Sequence, residues 1–282
     1  MLEASGERLS EKVYSRIMVE HLHRYAFARA YSTGKTVLDI ASGEGYGTNL
    51  LALEAKFVYG VDLSEDAVKH ANKLYGEVNK KFLIGDVTQI PLKDNEVDLV
   101  VSFETIEHVH DHNKMLQECK RVLKEDGALI ISTPNKRIYS DIPGYKNPFH
   151  VKELYEEEFI DLIRKYFSNI LLYKQGIAKG GFIYTNNGGG NNTIQIYKGD
   201  YEQVITDKDI DVPEYLIIVA SNAALTKYGN SFFESSAVDA KLLHELSVYK
   251  KKYDAIYQST SYKLGKSLLA PFQKIRSILF RS

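Results

Sequence analysis

The chain has few of the residues that mark a secreted or membrane-spanning protein. A single cysteine, Cys119, stands among 282 residues, which excludes a disulfide framework and a cysteine-based zinc site and suits a reducing compartment. No apolar run reaches the roughly 18 residues that a membrane-spanning helix needs. The first ten residues, MLEASGERLS, lack the apolar core of a signal peptide. We therefore expect a cytoplasmic protein.

The chain also has almost no net charge, but its charges are unevenly distributed. The 36 basic residues nearly balance the 37 acidic ones. Residues 221–282 hold ten basic and four acidic side chains, so the preceding part is acidic. An acidic body lacks the clustered cations that bind phosphates, and we expect no nucleic acid partner. The 44% hydrophobic content is enough for a sizeable core.

Short β-rich runs alternate with helical patterns along most of the chain. The runs are 36–40, 57–61, 81–84, 97–101, 128–132, 170–173 and 215–220. This alternation is typical of an open, mostly parallel sheet with helices on both faces, so we predict an α/β fold. We assign residues 1–222 to this domain, with an N-terminal helix over 7–30 inside the segment 1–32. The Gly- and Asn-rich residues 176–200 predict an insertion loop or hairpin.

Residues 223–282 predict a helical tail. Apolar side chains recur there at near-heptad spacing, at Val238, Leu242, Leu246, Tyr249, Tyr253 and Ile256. The last 24 residues carry five cations and no acid. Three interpretations stay open: a coiled coil that forms a dimer or docks a partner, a basic amphipathic helix on the inner face of a membrane, and a linker to a further domain.

A glycine-rich loop and three ordered acids form the first candidate site. The first strand ends in Asp39 and leads into Gly43-Glu44-Gly45-Tyr46-Gly47, where backbone amides can approach a ligand closely. The spacing differs from that of dinucleotide enzymes, and no Walker lysine follows. Asp39 would repel a pyrophosphate and favours a cationic or zwitterionic ligand. Asp62 and Asp86 end the next two strands, where they could accept ribose hydroxyls and an adenine amino group or simply cap helices.

A second candidate site follows the fourth strand. If a helix begins near Phe103, Glu104 lies one turn from both Glu107 and His108, so the three side chains can converge. With His150, they form a plausible ligand set for Mg²⁺ or Mn²⁺. Two alternatives remain: the Glu-His pair only orders a loop, or His150 is a general base that needs no metal.

The segments 37–47, 61–64, 85–87 and 123–127 resemble, in this order, the motifs of class I S-adenosylmethionine (SAM) dependent methyltransferases. The resemblance implies a seven-stranded Rossmann-like fold and SAM as cofactor. It implies that SAM is bound by Arg24, Tyr25, Asp39, Ala41, Gly43, Gly45, Tyr46, Asp62, Leu63, Asp86, Val87 and Phe103. Ala41 replaces the more usual first glycine. Arg24 could pair with the SAM carboxylate or be a surface cation.

The Glu-x-x-Glu-His pattern with a later histidine is similar to metal-dependent O-methyltransferases, including those of the ubiquinone pathway. It implies Glu104, His108 and His150 as catalytic residues, and these three with Glu107 as metal ligands. Four segments, 103–109, 132–135, 147–150 and 158–159, resemble bacterial surface-polysaccharide methyltransferases, and 259–266 resembles sequences beside glycosyltransferase domains. This implies a saccharide acceptor and a glycosyltransferase as partner or neighbouring domain. The alternatives are a quinone-like or other small-molecule hydroxyl, and a non-catalytic SAM-binding module that scaffolds a polysaccharide-assembly complex.

Overall fold

The computed structural model describes residues 16–76, 78–177, 196–199, 203–207 and 213–265. The chain divides into two compact units, Met1–Phe233 and Glu234–Ser282. The division follows Phe233 rather than residue 222 because the intervening segment packs on the first unit. There, Tyr228 donates a hydrogen bond to the backbone oxygen of Ala30 at 2.8 Å, and its ring meets that of Tyr31 edge-on at 4.5 Å.

Seven strands of the first unit form one sheet. They are β1 Thr36–Ile40, β2 Phe57–Asp62, β3 Lys80–Ile84, β4 Val97–Ser102, β5 Leu123–Pro134, β6 Asn169–Gln175 and β9 Tyr215–Ser221. Their order is β3-β2-β1-β4-β5-β9-β6. Strands β1 to β5 are parallel, whereas β9 is inserted antiparallel between β5 and β6. The predicted seven-stranded α/β fold is confirmed.

Helices cover both faces of this sheet. They are α1 Arg16–Ser32, α2 Tyr46–Leu51, α3 Glu65–Tyr75, α4 His112–Val122 and α5 Glu156–Arg164. Side chains alternate along a strand, so Leu38 of β1 packs in the core that holds α4 and α5, and its neighbour Val37 packs in the core that holds α1 and α2. Burial on both faces explains why the strands read as continuous apolar runs.

The insertion predicted at 176–200 is described only at its ends. Residues 178–195 and 200–202 lie outside the described residues, as does the part of the N-terminal helix predicted before Arg16. Strands β7 Ile196–Gly199 and β8 Val204–Asp207 pair antiparallel in a separate two-stranded sheet. Strand β7 therefore lies at the end of the predicted insertion, and its partner β8 lies beyond residue 200.

The second unit contains one long helix, α6 Ser236–Gln258. Four of its apolar side chains, Leu246, Tyr249, Tyr253 and Ile256, are between 54% and 66% exposed. The helical tail is present, and its assembly with a partner stays a prediction. Among the described residues, no helix has both the length and the apolar character needed to cross a membrane.

Candidate functional site

The glycine-rich loop joins β1 to α2 in a tight turn. Ala41, Gly43 and Gly45 have φ angles of 60°, 55° and 89°, a left-handed conformation that favours glycine. Gly45 also needs to lack a side chain, since a Cβ atom there would lie 2.7 Å from Cβ of Ala71. Ala41, which replaces the more usual glycine, therefore adopts a backbone conformation that favours glycine although it carries a Cβ atom. It lies on an exposed part of the loop.

Asp39 lies buried beneath this loop. Its carboxylate accepts hydrogen bonds from the hydroxyls of Thr48 at 2.6 Å and Tyr25 at 3.1 Å. Burial raises the pKa of Asp39 from 3.8 to about 7, and the negative charge of Asp62 adds to the rise, while the two hydrogen bonds oppose it. A cationic ligand at this loop would stabilise the ionised form.

Asp62 ends β2 and Asp86 follows the last residue of β3 by two positions, at the same edge of the sheet as Asp39. Asp62 accepts hydrogen bonds from the backbone N–H groups of Gly43 at 2.8 Å and Ser64 at 2.9 Å, which tie β2 to the glycine loop. Asp86 accepts from the N–H and hydroxyl of Thr88, both at 2.7 Å, and these bonds lower its pKa. Each carboxylate oxygen can accept a further hydrogen bond from a ligand.

The helix α1 covers the loop with Tyr25. Its ring lies so close to Gly47 that a Cβ atom there would be 1.9 Å from Cζ of Tyr25. The ring also meets those of Tyr46 and Phe103 edge-on, at 5.6 and 5.1 Å. Of the remaining residues predicted to bind the cofactor, Leu63 is 70% exposed and Val87 is half-buried.

Arg24 is not a surface cation, because only 1% of it is exposed. Its NH1 donates to Oε1 of Gln175 at 2.7 Å and lies 3.8 Å from Oε1 of Glu104, and its guanidinium lies 4.7 Å above the ring of Tyr215. Its buried Nε and NH2 atoms have no hydrogen-bond partner among the described residues. They are donors that a ligand carboxylate could use.

Among the described residues no α-helix begins near Phe103, so the helical spacing that predicted the convergence of Glu104 with Glu107 and His108 does not apply. The chain forms a short 3-10 helix, Ile106–His108, and Glu104 precedes it in a left-handed conformation with φ of 49°. Its Oε1 accepts a hydrogen bond from the hydroxyl of Ser132 on β5 at 2.6 Å. Glu104 therefore lies outside the cluster of candidate metal ligands that the structure contains.

That cluster consists of Glu107, His108 and His150. One ligand atom from each lies within 4.8 Å of the others, and the two imidazole rings meet edge-on at 5.0 Å. Burial and the charge of Glu104 raise the pKa of Glu107 well above its ordinary value, while a 3.1 Å hydrogen bond from the Thr133 hydroxyl opposes the rise. A cation at the cluster would relieve this penalty.

Hydrogen bonds fix the tautomers of both histidines. Nδ1 of His108 lies 3.1 Å from the backbone oxygen of Phe149, which can only accept, so Nδ1 carries the proton. Nδ1 of His150 lies 2.6 Å from Oε1 of Glu153. In the neutral rings Nε2 then keeps its lone pair, which suits a metal ligand. Glu153 was not among the residues predicted from the sequence. Its only signal in the sequence is its position three residues after His150.

The chain matches known methyltransferases in its central part. Residues 38–131, about a third of the chain, match the family model described as a methyltransferase domain. A Mycobacterium tuberculosis protein named "Probable S-adenosylmethionine-dependent methyltransferase" is 40% identical over 134 residues, covering 46% of this chain and 47% of that protein. The ubiquinone biosynthesis O-methyltransferase of Glaesserella parasuis is 34% identical over 113 residues, covering 36% and 47%. The chain spans about half the length of the curated relatives it matches.

Solved structures share the fold. The protein named "putative methyltransferase" in complex with the Haloferax volcanii Trm112 methyltransferase activator aligns with a TM-score of 0.55 at 18% identity, covering 73% of this chain and 91% of that one. The YcgJ protein of Bacillus subtilis aligns at 0.51 and 17% identity, covering 72% and 100%. The sheet order, the glycine loop and the matched segment agree with one another. Residues 38–131 are therefore similar to a methyltransferase domain, and the described sheet has the fold of the aligned structures.

Proposed function

We propose that the protein is a SAM-dependent O-methyltransferase. The observation that carries the proposal is the placement of Asp39, Asp62 and Asp86 at or just beyond the carboxyl ends of three adjacent parallel strands, beside the glycine loop. Asp62 is suited to the ribose hydroxyls and Asp86, with Val87, to the adenine ring. Arg24 supplies two donors, Nε and NH2, that have no partner within the described part of the chain and suit the SAM carboxylate.

Binding of SAM can be tested directly at Asp62. Asp62→Ala should weaken binding at least tenfold, because the ribose hydroxyls lose a charged acceptor and Gly43 loses its partner. Asp66→Ala is a control, since Asp66 is an exposed acid on the adjacent helix. Unchanged affinity of Asp62→Ala in calorimetry would remove Asp62 from the site.

The acceptor hydroxyl would lie at Glu107, His108 and His150. Of the two predicted ions, Mn²⁺ suits two imidazoles and one carboxylate better, because Mg²⁺ prefers oxygen ligands. Such an ion, when bound, lowers the pKa of a coordinated hydroxyl. The protein's own part is to align the hydroxyl with the methyl group and to exclude water. Without a metal, Nε2 of His150 could take the proton itself.

Chelation separates these two mechanisms. If a metal is required, EDTA should abolish transfer and Mg²⁺ or Mn²⁺ should restore it. Full activity in EDTA would leave His150 as a metal-free base. His150→Ala should abolish transfer in either mechanism while SAM still binds.

We propose a sugar hydroxyl of a surface polysaccharide as acceptor. Besides the motif resemblance, aromatic rings flank His150: Tyr139 stacks on it at 5.4 Å, and Tyr145, itself 50% exposed, lies 5.8 Å from Tyr139. Such faces pack well against the apolar side of a sugar ring. The similarity to ubiquinone biosynthesis O-methyltransferases favours a quinone-like hydroxyl as the second candidate.

Labelled SAM distinguishes the acceptors. The protein would be incubated with a glycan panel and, separately, with catechol-type quinols, and the products would be analysed by mass and linkage. Methylation of the quinols alone would overturn the sugar assignment. SAM binding without transfer to any acceptor would favour a scaffold module.

The tail is proposed to place the enzyme at its substrate, either through a dimer or glycosyltransferase partner or at an anionic membrane surface. Vesicle pelleting with and without residues 259–282 tests the membrane contact. Equal recovery of both forms in the pellet would refute it.

A further inference from the structure

A continuous network of hydrogen bonds surrounds His150. The backbone N–H of Phe149 donates to Oδ1 of Asn147 at 3.0 Å, which fixes the orientation of the Asn147 amide. Nδ2 of Asn147 therefore faces Nε2 of His150, at 2.9 Å. An amide nitrogen can only donate, so Nε2 of His150 must accept.

The other ring nitrogen gives the same assignment independently. Nδ1 of His150 lies 2.6 Å from Oε1 of Glu153, and a carboxylate accepts. The pair is well shielded from water, with 7% of the His150 side chain and 9% of the Glu153 side chain exposed. A charge-assisted hydrogen bond in such surroundings is strong enough to select one tautomer.

We propose that Glu153 is a positioning residue that holds His150 in the Nδ1–H tautomer, so that Nε2 is the atom that meets the metal or the acceptor. Asn147 covers Nε2 until either arrives and displaces its amide. The role rests on the assignment of His150 to the reacting site, but the tautomer itself is independent of any bound ligand. His108 is held in the same tautomer by the carbonyl of Phe149, and its Nε2 lies 3.9 Å from Oε1 of Glu107.

Side-chain ¹⁵N NMR of the histidines tests the proposal in the full-length protein without metal, SAM or acceptor. His150 signals are identified by their loss in His150→Ala. In the wild type we expect a protonated Nδ1 and an unprotonated Nε2. Asn147→Ala leaves Glu153 to select the tautomer and should preserve the wild-type pattern. Removal of both partners in Asn147→Ala/Glu153→Ala should produce a mixture with the Nε2–H tautomer, whereas Asn147→Ala/Glu153→Gln retains an acceptor oxygen at Nδ1 and should largely preserve the wild-type pattern.

Mn²⁺ binding by calorimetry is the second readout. Loss of an outer-sphere partner of a metal-binding histidine weakens metal affinity by about 10- to 100-fold, and we expect this loss in Glu153→Ala and a smaller one in Glu153→Gln. Glu157→Ala, at an exposed acid four residues along the chain, is the matched control. A wild-type Nε2–H signal, or identical His150 spectra in Asn147→Ala and Asn147→Ala/Glu153→Ala, would overturn the proposal. Failure of the wild type to bind Mn²⁺ would count against the metal mechanism and leave the tautomer result to decide on Glu153.

Discussion

The buried carboxylate of Asp39 should make the stability of the ligand-free protein depend on pH in a defined way. Its pKa is raised from 3.8 to about 7 in the folded protein by burial. Because the folded-state pKa is raised, the contribution of Asp39 to the free energy of unfolding is fully present below pH 3.8 and is lost as the pH rises through 7. A displacement of this size corresponds to roughly 4 kcal/mol in total.

Replacement of Asp39 by asparagine removes this dependence while keeping the shape. The amide oxygen can still accept from Thr48, and the Tyr25 hydroxyl can rotate to accept from the amide nitrogen. Proton linkage then predicts that the free energy of unfolding of Asp39→Asn, relative to that of the wild type, rises by roughly 2 to 3 kcal/mol from pH 5 to pH 8. Other titrating groups are common to both proteins and cancel in this difference.

The assay is urea unfolding at several pH values, followed by tyrosine fluorescence, since the chain has 20 tyrosines and no tryptophan. Asp126→Asn, at an exposed acid, is the control and should show a difference from the wild type that changes little with pH. A difference between Asp39→Asn and the wild type that stays constant from pH 5 to pH 8 would refute the assigned environment of Asp39. Saturating SAM should reduce the effect, because a nearby cation stabilises the ionised carboxylate.

Three further outcomes are expected. Gly47→Ala should weaken SAM binding at least tenfold in calorimetry, because its Cβ atom would displace the ring of Tyr25; wild-type affinity would contradict this packing. The thiol of Cys119 is fully buried and its pKa is raised to about 12, so a thiol reagent should modify it only at the rate of unfolding; rapid labelling of the folded protein would contradict its burial. Arg121→Ala should cost about 2 kcal/mol in urea unfolding, since the guanidinium joins Glu118 to two backbone carbonyls, but SAM affinity should not change. A change in that affinity would show that Arg121 is coupled to the cofactor site.

The sheet could be predicted from the sequence, but its order could not. Continuous apolar runs such as 97–101 identify strands because both of their faces are buried. Nothing in the run 215–220 indicates that β9 lies antiparallel between β5 and β6, since that order depends on contacts between segments distant in the chain.

The cofactor loop was predictable because its conformation is local. The glycines at 43 and 45 have the left-handed φ angles for which glycine is selected. The second candidate site, around Glu107, was less predictable. Helical spacing was the wrong rule for Glu104, whose conformation is set by Ser132 on a neighbouring strand. The burial of Arg24 likewise depends on Gln175, 151 residues away.

The backbone of Phe149 holds both histidine rings, through its N–H and Asn147 on one side and its carbonyl and His108 on the other. Its side chain takes no part in these bonds and is 53% exposed. Position 149 should therefore tolerate almost any side chain except proline, which has no N–H to donate. A fluorescent or photo-crosslinking residue placed there would report on acceptor binding next to both imidazoles without altering the bonds that hold them.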